Sequence, residues 1–451
     1  MMWRQLSTFF FVMSASVASA QPISLASAWQ AAQTQDPTLQ AAISEREAGQ
    51  TERALGRAAL LPQISANLGR TRIHGHLETP DAQDNIVRQD LDYTSKVNEI
   101  NLQQSLFDWG RITGYRQGHA RADQALATFD VQANDASERL INRYFQLLLA
   151  QQQLSLSAQN VQASDQHIEI AQHHFRSGEG TITEVHEAQA RRDIAYAQWL
   201  NAQDNLTVAR RELQEMIGVE PEQVLGLHEK INPVGLEPHD LASWMQMALT
   251  RNAQIRVATE NLRVSALEIQ RAFSGHLPTA TLTGSLRKTT AESISTRNQD
   301  SSTRSLGISI QVPVFAGGAT QAQVRQAQYG RDRSSHELDA TREEIAVEVT
   351  RQYQGVLSGA QKINAYQKAV QSNELALKAA ERGYQGGVRS ISDILDAQDR
   401  LYQSQLDLTR TRLEYVMARL MLAAVADGLT GSLIEQTTQQ FFSHKPIPVK
   451  L

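Results

Sequence analysis

The chain has 451 residues, 43 Lys+Arg against 48 Asp+Glu, a formal net charge of -5, 6% aromatic side chains and no cysteine. Mild acidity without a basic run or an aromatic-interleaved patch excludes a nucleic-acid surface. The missing thiols exclude disulfides, thiolate metal sites and a cysteine nucleophile together. Scarce proline with abundant Ala and Gln favours long helices over a bulky core.

Residues 1–20 read as a secretory signal. Arg4 supplies the charge, Phe9-Phe10-Phe11-Val12-Met13 opens the apolar core, and Ala18-Ser19-Ala20 forms a small-residue cleavage site before Gln21. The apolar run is too short for a mature transmembrane helix, and no later segment reaches about 18 consecutive apolar residues. The expectation is an exported chain without a spanning helix and, lacking a cysteine at residue 21, without an acyl anchor there.

The mature chain reads as a duplication: a first repeat over 21–218, a linker over 219–239, a second repeat over 240–427, and a polar tail over 428–451. The linker and tail are expected to form matching belts. Ser24-Leu25-Ala26-Ser27 aligns with Asp240-Leu241-Ala242-Ser243, and Leu61-Pro62 with Leu277-Pro278. Each half opens with a polar-rich helix, expected over 24–60 and 240–276 and stopped by its Leu-Pro.

After each proline the period changes to two. Ile64, Ala66 and Leu68 alternate with Gln63, Ser65 and Asn67; Ala280, Leu282 and Leu286 alternate with Thr279, Thr281, Thr283 and Ser285. Returning runs carry Ile100, Leu102 and Leu106, then Leu306, Ile308, Ile310 and Val312. Hairpins are therefore expected at about 61–107 and 278–314, with strands over 61–73, 97–107, 278–288 and 304–314. Tilted strands of about ten residues span a bilayer with apolar side chains outward. A half-buried soluble hairpin has the same pattern, but the secretory signal and the Ser/Thr/Asn/Gln inner face favour the membrane. Four strands cannot close a barrel, and open edges are prohibitive in lipid, so several copies must share one.

Residues 111–177 and 319–385 hold no proline, and each would run about 100 Å as one helix. Leu140, Leu147, Leu154, Val161, Ile168 and Phe175 repeat every seven residues, as do Val349, Val356, Ile363, Val370, Leu377 and Tyr384. Ile394, Leu401, Leu408, Tyr415 and Leu422 resume the pattern, and Val185, Trp199, Leu206 and Leu213 follow it more weakly. A sustained heptad predicts left-handed supercoiling, here a coiled-coil wall.

Between the helices lies an acidic bend, present twice. Tyr384, Gly387, Ser392, Asp393, Ile394, Asp396, Ala397 and Gln398 match Phe175, Gly178, Thr183, Glu184, Val185, Glu187, Ala188 and Gln189, 209 residues earlier. Asp393 and Asp396, three apart, share one helix face; alone they would read as a solvated acidic face.

The signal, the duplicated helix–hairpin–helix halves and the bend Y-x-x-G-x-R-x-I-x-D-x-L-D-A together resemble TolC-type outer-membrane efflux ducts over essentially the whole mature chain. The resemblance implies a mainly α-helical trimer. Four strands per chain would enter a shared twelve-stranded barrel in the outer membrane of a Gram-negative cell, and a helical tunnel would continue it into the periplasm. It implies a passive exit duct for tripartite efflux, type I secretion or both, docked through a periplasmic adaptor (membrane fusion protein) to an inner-membrane transporter. By position, Asp393 and Asp396 resemble an entrance ring, and Tyr384 and Arg389 a gate tether whose partners are Thr183 and Glu184. Position 184 is typically Asp in the family, and Glu187 replaces a neutral amide, adding acid near the mouth. Gly178 and Gly387 mark the tips expected to meet the adaptor.

No catalytic arrangement, cofactor site or firm metal site emerges from the residues. His173 and His174 point about 100° apart on a helix. His74 and His76 fall in an expected external loop near Asp81 and Asp84, where a weak metal site is conceivable. Gly386 and Gly387 lack a P-loop lysine and a preceding strand, and read as helix terminators. The competing class is a trimeric coiled-coil structural or adhesive envelope protein, which would have no use for lipid-facing hairpins.

Overall fold

A computed structural model describes residues 22–231, 233–290 and 300–449. The expected signal segment, residues 291–299 and the last two residues of the tail lie outside the described residues.

The first repeat opens with α1 (Leu25–Gln35), α2 (Pro37–Gln50) and α3 (Glu52–Ala58), followed by β1 (Gln63–Pro80) and β2 (Ile86–Phe107). The long helix α4 (Trp109–Ser177) leads through the first bend to α5 (Ile182–Ile217), and β3 (Gln223–Leu227) lies in the linker. The second repeat follows with α6 (Leu241–Arg251), α7 (Ala253–Phe273), β4 (Thr279–Thr290), β5 (Asp300–Gln311), α8 (Ala319–Gln385) and α9 (Ile391–Asp427). The tail forms α10 (Gly431–Phe441) and β6 (Phe442–Pro448).

The single opening helices expected over 24–60 and 240–276 are each broken near their start. Asp36 stands before Pro37 with extended backbone and accepts from the Thr38 N–H at 2.9 Å. At the matching place, Asn252 accepts from the N–H groups of Gln254 (2.9 Å) and Ile255 (3.2 Å). A side-chain oxygen offered to orphan donors starts a new helix, and a following proline disfavours helical backbone.

Two compact units emerge. One comprises Ala42–Gln132 and Leu249–Ile345 and holds a four-stranded antiparallel sheet in the order β1-β2-β4-β5. Cross-strand register places Ile64 opposite Leu102, Ala66 opposite Ile100, Leu286 opposite Ile100, and Leu282 opposite Ile308. These residues form one apolar face that remains bare: Leu68 is 81% exposed, Leu306 75% and Ile308 65%. The other face pairs Ser65 with Asn101, Gln103 with Thr283, Thr281 with Ser309, and Ser285 with Ser305, whose hydroxyls lie 2.8 Å apart. Among the described residues β1 and β5 are the sheet's edges.

The first hairpin is longer than its apolar alternation suggested, with strands of 18 and 22 residues. Beyond Ile73 the ladder continues as polar sequence, supported by cross-strand ion pairs such as Arg72 with Asp92 at 3.2 Å. His74 and His76 thus sit on β1 and not in a loop. They lie 3.8 Å from Asp92 and from Glu78 respectively. The turn beyond is tight: Asp81 accepts from the N–H groups of Gln83 and Asn85, both at 2.9 Å.

The other unit comprises the described residues of Met1–Ala41, Ala133–Ala248 and Ala346–Leu451. The linker and tail meet here, β3 pairing antiparallel with β6. Buried Tyr144 packs against Phe442, with ring centroids 5.9 Å apart, and its hydroxyl reaches the carbonyls of Leu225 (2.8 Å) and Ile23 (3.0 Å).

Most heptad residues of the second repeat are buried, among them Val349, Val356, Ile363, Ile394, Tyr415 and Leu422, while Val370 and Leu377 are half-buried. On α4 the buried stripe departs from the heptad. Leu140 and Leu147 are buried, but further along Ser157, Asn160, Ser164, His167 and Ala171 take over while Phe175 is exposed. A helix of 3.6 residues per turn drifts about 20° per heptad, which moves the covered face onto these small and polar residues. Asn160 Oδ1 accepts there from Gln398 Nε2 at 3.1 Å. Among the described residues no helix is long and apolar enough to cross a membrane.

Candidate functional site

The two acidic bends share one construction. Gly178 (φ 81°) and Gly387 (φ 70°) end α4 and α8 in left-handed backbone. Gly178 N–H donates to the Phe175 carbonyl (3.2 Å) and Glu179 N–H to that of His174 (2.9 Å). Gly387 N–H donates to Tyr384 and Val388 N–H to Gly383, both at 2.9 Å. This bond pair satisfies the last carbonyls of a helix and needs a residue tolerant of positive φ.

The following helices begin with reciprocal caps. Thr181 Oγ1 accepts from Glu184 N–H (3.3 Å), and Glu184 Oε2 accepts from Thr181 N–H (2.9 Å). Ser390 Oγ accepts from Asp393 N–H (3.3 Å), and Asp393 Oδ2 accepts from Ser390 N–H (2.9 Å). The recurrent acid thus sits in a capping box, where it also meets the positive end of the helix dipole.

Around the caps a charge network forms. The Ser390 N–H and hydroxyl, then Arg389, hold the Asp393 carboxyl below its usual value; Arg389 Nη1 lies 3.2 Å from Asp393 Oδ1. Arg191 of α5 reaches Asp396 Oδ1 at 2.8 Å and also grips Asp399, both on α9. Burial pushes the Asp399 carboxyl up, against the pull of Arg191 and helped by Asp396. Ser392 Oγ donates to Glu187 Oε1 at 2.8 Å, and Arg192 Nε lies 3.0 Å from Asp165 of α4.

Tyr384 is 7% exposed, among Ala171, Ala188, Ala380, Ile391, Ile394 and Leu395. Its ring lies 4.7 Å from that of His174, and its hydroxyl has no hydrogen-bond partner among the described residues. Burial, with the Glu184 carboxylate second, raises its pKa.

Within one chain, then, the bends bring Tyr384 near Glu184 but give Arg389 to Asp393, in the first turn of the helix that follows it. Thr183 is exposed, and Glu184 closes its own cap. Gly178 and Gly387 face open space. His174 Nδ1 lies 3.8 Å from Glu179. Among the described residues no three His, Asp or Glu side chains are grouped to hold a metal ion. Sequence reasoning missed Arg191 and Asp399 and gave Ser392 no contact, because pairing across two helices follows from their mutual rotation, which no spacing encodes.

A sheet with a bare apolar face and open edges, feeding helices of 69 and 67 residues that reverse at acid-capped bends, defines the class of outer-membrane channels with coiled-coil tunnels. The chain belongs to the outer membrane efflux protein family, whose model matches residues 28–219 and 244–428. It is 32% identical to the proteases secretion protein PrtF of Dickeya chrysanthemi, over 97% of this chain and 95% of the relative. Identity to the alkaline protease secretion protein AprF of Pseudomonas aeruginosa is also 32%, over 90% of this chain and 85% of the relative. The solved outer membrane protein VceC of Vibrio cholerae superposes with a TM-score of 0.73 at 18% identity, over 90% of this chain and 96% of that one. The chain is an exit duct of the outer membrane, in a family of channel proteins; an adhesive stalk is not favoured.

Proposed function

We propose that three copies form one duct that exports polypeptides, secreted proteases among them, by type I secretion. Each copy contributes β1, β2, β4 and β5 to a shared barrel of twelve strands, since edges left open at β1 and β5 would strand backbone polar groups in lipid. The bends form the periplasmic entrance and meet an adaptor, which links the duct to an inner-membrane transporter. Asp393 and Asp396 line that entrance. Tyr384, Arg389, Thr183 and Glu184 act as its tether, with Arg389 reaching a neighbouring copy when it leaves Asp393. Exposed ion pairs are worth only about 0–1 kcal/mol each, so closure rests on repetition around the threefold axis.

The observation that carries the secretion reading is near-full-length identity of 32% to two protease secretion proteins. Deleting the gene tests it, with secreted protease activity and susceptibility to toxic small molecules measured side by side. Loss of secretion with unchanged susceptibility is expected. Intact secretion with raised susceptibility would replace it with small-molecule efflux.

A further inference from the structure

We propose that Arg191 sets both the closure and the charge of the duct's mouth: it bolts α5 to α9 within each chain, and while it does so it withholds Asp396 and Asp399 from passing ions. The inference rests on the reading of the bends as the periplasmic entrance.

The guanidinium is forked between two carboxylates, Nη2 lying 2.8 Å from Asp396 Oδ1 and Nη1 contacting Asp399 Oδ2. A planar fork reaches two acceptors at once; a lysine ammonium has one point of charge on a flexible stem. All three side chains remain partly open to solvent, at 37%, 49% and 44%. Within one chain the bridge is therefore open to water, unlike a pair sealed in a core. Asp396 and Asp399, three apart on one face of α9, repel each other whenever the arginine leaves.

The duplication sharpens the point. Arg400 matches Arg191 in the second repeat, but the positions matching Asp396 and Asp399 are Glu187 and Ala190. Two acids therefore converge at only one of the two related joints. Glu187 instead accepts from Ser392 at 2.8 Å, a second link across the same pair of helices. An entrance ring counted from the sequence as Asp393 and Asp396 is met by arginine at both positions, Asp393 by Arg389 beside it and Asp396 by Arg191 from the other helix. Parting α5 from α9 exposes Asp396 and Asp399 together.

The test uses the full-length protein in planar bilayers, with single-channel conductance, reversal potential in a potassium chloride gradient, and block by hexamminecobalt(III) added at the periplasmic side. Arg191→Gln removes both bridge and charge. Conductance should rise, cation selectivity increase, and block tighten by about tenfold as the focused negative potential grows. Arg191→Lys keeps the charge but not the fork, so conductance should rise while block tightens less than in Arg191→Gln, the retained ammonium offsetting part of the exposed charge. Adding Asp396→Asn and Asp399→Asn to Arg191→Gln should leave conductance high and abolish the tightened block. Unchanged conductance and block in Arg191→Gln would overturn the proposal. So would equal block in the Lys and Gln variants, or persistent tight block in the triple variant. A wild-type protein that forms no channel at all would overturn the duct reading, and the bolt with it.

Discussion

Ser392 Oγ donates to Glu187 Oε1 at 2.8 Å, joining the first turn of α9 to the second turn of α5 across the two repeats. Glu187, expected as an added acid at the mouth, has a partner of its own within the chain. Ser392→Ala should loosen the joint by about 1 kcal/mol, the usual net value of such a bond. Glu187→Gln keeps a carbonyl acceptor and should disturb it less. Single-channel conductance should therefore rank Ser392→Ala above Glu187→Gln above wild type. The reverse ranking of the two variants would show that the charge of Glu187 matters more than its hydrogen bond.

The glycines of the bends offer a cleaner separation of shape from contact. A Cβ at Gly178 or Gly387 would meet nothing within 4 Å, so substitution is opposed by backbone conformation and not by crowding. With φ at 70°, Gly387→Val should cost about 1–2 kcal/mol locally, and Gly387→Asn much less. Limited proteolysis should find the Val variant nicked near residues 386–390, with assembled protein still in the outer membrane and export lost. Asn should behave as wild type. Equal export by both variants would place adaptor docking elsewhere.

Some of this construction was visible in the sequence and some was not, for reasons that differ by element. Heptads located α8 and α9 because an apolar stripe is a property of one helix alone. The same reasoning failed along α4, where Ser157, Asn160, Ser164 and His167 are buried. Small polar residues at helical spacing look like a solvent face until a neighbour covers them. The patterns Thr181-x-x-Glu184 and Ser390-x-x-Asp393 were legible as capping boxes, yet the acids drew attention as charge. Asp36 and Asn252 likewise carried a readable helix-start signal inside what looked like unbroken helices. Arg191 with Asp396 and Asp399 was not legible, since a rotation of one residue, about 100°, would separate them.

The register of the second hairpin gives a paired test of the membrane face. Leu282 lies opposite Ile308, and Thr281 opposite Ser309, so each pair belongs to one side of the sheet. Arginine at Leu282 or Ile308 should cost about 2–4 kcal/mol near the bilayer midplane, whereas arginine at Thr281 or Ser309 should be tolerated. Urea denaturation of protein reconstituted in lipid, with the yield of heat-modifiable oligomer as a second measure, distinguishes the faces. Equal loss on both sides would contradict a lipid-facing sheet.

Away from bends and barrel, Glu138 on α4 creates a dependence on pH. Burial, with Asp135 and Glu348 adding repulsion, raises its carboxyl to about 7 from an ordinary 4.5. Glu348 is itself held by Arg351 and accepts from Gln352 Nε2 at 2.6 Å. The folded chain therefore binds a proton at Glu138 more tightly than the unfolded chain does. By linkage, stability is greatest below the unfolded pKa, falls as pH rises between the two values, and levels off above about 7. Allowing for partial solvent screening, the loss is about 1–2 kcal/mol. Glu138→Gln should remove it, matching wild type near pH 5 and exceeding it in unfolding midpoint near pH 8. Glu348→Gln should recover part of the same gain, because it removes one of the two repelling charges. A wild-type unfolding midpoint that is flat across this range, or a Glu138→Gln variant less stable than wild type at about pH 8, would show that this carboxyl is already ionised in the assembled duct.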